Sequence, residues 1–131
     1  PAADVEAAIA AFATKQGAEA KPKLLAAFAG AFAELTGQRA QVIDGLARFG
    51  RRQTQMADEI RRENEALHKT QNVTAGVVAG EPSPALRKLQ WDIRMFEERK
   101  RTIAYVCETP ALIEQRIGVV ARAVAQAAGV Q

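Results

Sequence analysis

From Leu25 to Leu67 the chain repeats one step pattern, alternately three and four residues, and that pattern limits what it can become. Leu25, Phe28, Phe32, Leu35, Arg39, Val42, Leu46, Phe49, Gln53, Met56, Ile60, Glu63 and Leu67 all fall on it. Two positions in seven mark a narrow stripe along an α-helix, because 3.6 residues complete a turn. Gly30, Gly37, Gly45 and Gly50 interrupt the same stretch, each costing about 1 kcal/mol in a helix interior. A turn at Gly37 or Gly50 would reset the phase, and the phase is never reset. The pattern therefore predicts one helix over 22–70.

Punctuation follows at 71–83, QNVTAGVVAGEPS, the richest stretch in turn formers. Ser83 before Pro84 has the form of an N-cap and a first helical position. A helix over 84–108 is expected, with Leu86, Leu89, Ile93, Phe96, Lys100, Ile103 and Cys107 on its stripe. Pro110 pushes Thr109 out of the helical region, which predicts a kink at 109–110 with Thr109 capping the next segment. That segment, 110–128, carries Ile113, Ile117, Val120, Val124 and Ala127 and stops at Gly129. At the other end, 4–16 places Val5, Ile9 and Phe12 on one side, with Asp4 as expected cap and Gly17 as stop.

Length then suggests topology. At 1.5 Å per residue, 22–70 extends about 75 Å and 84–128 about 68 Å, so two matched arms meet at one loop. The expected fold is all-α: an elongated, coiled-coil-like antiparallel helical hairpin, with the N-terminal helix completing a three-helix bundle at one end, in a single domain. Folding about the loop centre sets Leu67 near Lys88 and Ile60 near Phe96. Val73, Val77 and Val78 then occupy the tip of a projecting arm, where a partner, a membrane surface or another subunit could meet them.

Composition narrows function by exclusion. Lys and Arg total 18 against 15 acids, a weak basic bias spread along the chain. Cys107 and His68 are each the only residue of their type, so neither zinc-like spacing nor a triad can be assembled. No glycine-rich phosphate loop is present, and no cofactor, metal, catalytic residue or small-molecule substrate is suggested. The apolar run LLAAFAGAFA at 24–33 is about half of a bilayer span. No basic leader opens the chain, which favours the cytoplasm without fixing the compartment.

Three surface features remain. Trp91, Met95, Thr102 and Val106 form a second line on the third helix, roughly opposite its stripe. A helix apolar on two sides packs on two sides, so this line is the expected partner or homodimer interface, with Trp91 as its anchor. Arg87, Arg94 and Arg101 lie seven apart, an anion-binding stripe in form. Yet Glu98 follows Arg94 by four, Glu97 precedes Arg101 by four, and Asp58 precedes Arg62 by four, the spacings of a salt-bridged, solvated flank. Arg39, Gln53, Glu63 and Lys100 are polar residues on otherwise apolar stripes, where they either set register or reach out to water. The expected function is a non-enzymatic protein–protein interaction or scaffold module. A nucleic acid on the basic arm, or a membrane or granule surface at the tip, is the alternative.

Overall fold

The structure is a computed structural model describing residues 1–73 and 82–130, with backbone alone at 71–73. Every regular element among the described residues is helical: α1 (Ala2–Gln16), α2 (Ala20–Val73), α3 (Pro84–Cys107) and α4 (Thr109–Ala128), with a 3-10 turn at Gly17–Glu19. The chain divides into two compact units. Unit 1 comprises Pro1–Asp44 and Glu108–Gln131, and unit 2 comprises Gly45–Cys107.

Unit 1 is built where small residues let helices approach. Ala20 and Leu24 of α2 and Val124 of α4 are buried together, with Ile9, Ala13, Phe28, Val120, Ala127 and Ala128 packed around them. Gly17 ends α1 by taking φ 57°, a left-handed conformation that costs a glycine little, while its N–H donates to the Ala13 carbonyl. Gly129 ends α4 similarly at φ 68°, and the Val130 N–H closes the turn on the Ala125 carbonyl at 2.9 Å. Pro22 falls in the first turn of α2, where a helix needs no N–H from it, so the helix begins two residues earlier than expected. α1 likewise begins at Ala2, with Asp4 in its first turn and not at its cap.

The heptad stripe changes phase within unit 1. Leu24 is 3% exposed, whereas Leu25, the expected stripe residue, is 46% exposed. Ala31 is half-buried and Phe32 exposed. Packing from both α1 and α4 moves the inward face of α2 to Ala20, Leu24, Phe28, Ala31 and Leu35, in steps of four, four, three and four. A stripe inferred for one neighbouring helix does not describe a helix with two.

In unit 2 the three-and-four stepping matches burial. Leu46, Phe49, Gln53, Met56, Ile60, Glu63 and Leu67 of α2 are each half-buried. Leu89 is the best-covered residue of α3, with Leu86, Phe96 and Ile103 half-buried beside it. Ile93, Lys100 and Cys107 are exposed. Cys107, on the expected stripe, is the last residue of α3 and is exposed.

Three helix ends differ from expectation or refine it. α2 continues through Asn72 and Val73, because the first glycine after His68 stands only at 76. Between α3 and α4 the residue at the junction is Glu108, at φ −79° and ψ −20°, without a side-chain cap. Pro110 sits in the first turn of α4, where its missing N–H costs nothing, so the break lies one residue before Thr109. At the start of α3 the Leu86 N–H donates to the Ser83 hydroxyl oxygen at 3.2 Å. Removing this cap with Ser83→Ala should cost about 1 kcal/mol in urea unfolding, and a cost near zero would show that the bond is idle.

Candidate interaction surfaces and the Lys88 clasp

Polar residues on the α2 stripe are bridges between helices. In unit 1 the Arg39 guanidinium donates through Nε to Glu114 Oε1 of α4 at 2.7 Å, and Nη2 lies 2.6 Å from the same oxygen. In unit 2 the Gln53 amide donates to the Phe96 carbonyl at 3.3 Å, while its Oε1 is buried without a protein partner. Glu63 accepts from Lys88 of α3. Lys100 is exposed.

Lys88 has the densest surroundings. Its ammonium also donates to Glu59 at 3.3 Å and to Asp92 at 2.7 Å. Glu63 and Asp92 are largely covered, whereas Lys88 and Glu59 are about half exposed. The bond to Asp92, then those to Glu63 and Glu59, push the lysine pKa well above its ordinary value, against a smaller opposing effect of lost hydration. Glu59, Glu63 and Asp92 offer carboxylate oxygens within 4.8 Å of one another, a spacing a cation could bridge. The ammonium already serves all three.

Sequence reasoning missed this cluster. Lys88 reaches Glu63, one helical turn from Leu67, and the Gln53 amide, seven residues before Ile60, reaches the Phe96 carbonyl. The available signal was the pairing of two four-residue spacings, Glu59 with Glu63 and Lys88 with Asp92. Opposite charges on facing helices favour one register among those an apolar stripe allows.

The expected interface residues are all on α3 but are not equally open. Trp91 is 58% exposed. Met95 is half-buried, Val106 is exposed, and Thr102 is exposed with its hydroxyl donating to the Glu98 carbonyl at 3.1 Å. Arg87, Arg94 and Arg101 are exposed. The pairings expected of their flank are not formed among the described residues: Asp58 pairs with Arg61 at 3.2 Å, not with Arg62, and Arg94 and Arg101 have no ion pair. For the expected tip, Val73 closes α2, and Val77 and Val78 lie outside the described residues.

Two shallow apolar grooves flank α1 in unit 1. Val5, Leu35, Leu112 and Val119 line one, and Ile9, Phe12, Ala27 and Phe28 line the other. Such surfaces can bury an apolar side chain. No described helix is long and apolar enough to cross a membrane. In comparisons with known proteins, no family model, curated protein or solved structure matches the chain.

Proposed function

We propose that the chain is a non-enzymatic protein–protein interaction or scaffold module that acts as an oligomer through an antiparallel helical hairpin, with α1 completing a three-helix bundle in unit 1. The hairpin reading is supported by contacts that run in opposite order along α2 and α3: Gln53 with Phe96, then Glu63 with Lys88. The bundle reading is supported by a core drawn from α1, α2 and α4.

One observation carries the interaction reading. Among the described residues, ten large hydrophobic side chains are exposed, including Phe12, Leu25, Phe32, Trp91 and Leu112. Only Leu24, Leu89, Ile113 and Val124 of comparable type are buried. Thin helical units gain little from their own cores, and large apolar side chains left uncovered are available to another molecule. Size-exclusion chromatography with light scattering should find a species larger than the 14.1 kDa chain, with mass rising with concentration. A monomer at every concentration, equally resistant to urea when dilute, would remove the oligomer.

A nucleic acid is the second reading, supported by segregated charge. Residues 45–107 contain twelve Lys and Arg against eight acids, whereas the rest of the chain has six against seven.

A further inference from the structure

Arg87, Trp91, Arg94, Glu98, Arg101 and Tyr105 follow one another along α3 by four, three, four, three and four residues. This is a second stripe of heptad period, on a different face from Leu86, Leu89, Phe96 and Ile103. All six residues are exposed, Trp91 at 58% and Tyr105 at 80%. None of the three arginines has an ion pair among the described residues, although Glu98 stands one turn from Arg94. Glu59, Glu63 and Asp92 are engaged on Lys88 and Asp58 on Arg61, while Glu97 and Glu98 stand within a turn of Arg101 and Arg94 without an ion pair among the described residues.

We propose that this stripe docks an acidic helix of another protein. The inference rests on the interaction reading and gives its partner a chemistry. Repeats of seven residues recur about every 10.5 Å on any α-helix, so a partner lying along α3 can bring a carboxylate to each arginine in the same period. Guanidinium forks bind carboxylates in pairs of hydrogen bonds, and Trp91 and Tyr105 offer flat apolar surface between them.

Glu98 decides against a polyanion. It sits in the middle of the stripe, where a nucleic acid or an anionic lipid surface would bring further negative charge against it. A helix can place a basic residue there. The partner therefore carries acids opposite Arg87, Arg94 and Arg101, apolar residues opposite Trp91 and Tyr105, and a lysine or arginine opposite Glu98. A second copy of this chain does not meet that description: Asp58 and Glu65 are its only acids seven apart, and three are needed.

The test uses the full chain and a labelled synthetic helical peptide with this pattern, read by fluorescence anisotropy. The proposal expects binding about tenfold tighter than to an isomer with the glutamates moved to the far face. Arg94→Glu should weaken the matched peptide about tenfold, and a peptide with lysine opposite position 94 should restore binding, which also shows that the variant is folded. Equal binding of the two isomers, no binding, or a loss that the swapped peptide fails to restore would each overturn the proposal. So would displacement of the peptide by an oligodeoxythymidine or by phosphatidylserine vesicles that bind more tightly than it does. Light scattering on the same samples reads self-association independently. Absent peptide binding with the oligomer intact sinks the acidic helix and leaves the wider interaction reading standing.

Discussion

Replacing Leu24 by alanine should destabilise unit 1 by about 3 kcal/mol, while the same change at Leu25 should cost less than about 1 kcal/mol. The two residues are chain neighbours of the same type, so helix propensity cancels and only position differs. Leu24 is 3% exposed, against Ala20 and Val124. Removing its side chain loses the transfer free energy and leaves a cavity that rigid helices fill incompletely. Leu25 is 46% exposed and leaves no cavity. Urea unfolding at two protein concentrations separates this from assembly, because a Leu25→Ala loss that grows with concentration would place Leu25 under a partner. Equal, concentration-independent losses at both positions would refute the inward phase of α2.

Lys88→Met should destabilise unit 2 at neutral pH and reverse the way its stability responds to acid. In the parent chain the three carboxylates raise the lysine pKa, so folding binds a proton more tightly than the unfolded chain does. That stabilisation is complete below the ordinary lysine value near 10.5 and is lost as pH rises above it. Methionine keeps the length of the side chain and removes the cation. Glu59, Glu63 and Asp92 then repel one another across 4.8 Å or less, and the repulsion weakens as acid neutralises them. The urea midpoint of the variant should therefore rise on going from neutral pH to the carboxylate range, while the parent shows no such gain from this cluster. A midpoint at neutral pH equal to that of the parent would show that the clasp contributes nothing.

Much of the helical outline was legible because its signals are local. The Ser83-Pro84 pair marks the start of α3 through backbone donors alone, and Gly17 and Gly129 stop helices through a conformation that other residues reach at a cost. What was not legible depends on neighbours. Period alone could not choose between Leu24 and Leu25, because the choice is made by two helices converging on α2. The pairing of Lys88 with Glu63 joins charges on separate helices, which a stripe of apolar positions does not record. For the surface line, Trp91 is as open as the sequence suggested, while Met95 is half covered. The arginines lack the pairings that their spacing to Glu97 and Glu98 implied, since spacing permits such bonds without compelling them.

No residue of α1 is buried, and it reaches the core of unit 1 only through partly covered side chains such as Ile9 and Ala13. Beneath them lie Leu24 and Val124, the best-sheltered pair in that core. Such a helix can detach at lower cost than melting of the two helices under it, since the opening free energy of a segment scales with what it covers. Hydrogen exchange should therefore protect the amides of α1 less than those around Leu24 and Val124, since opening α1 alone uncovers the surface on which its neighbours converge.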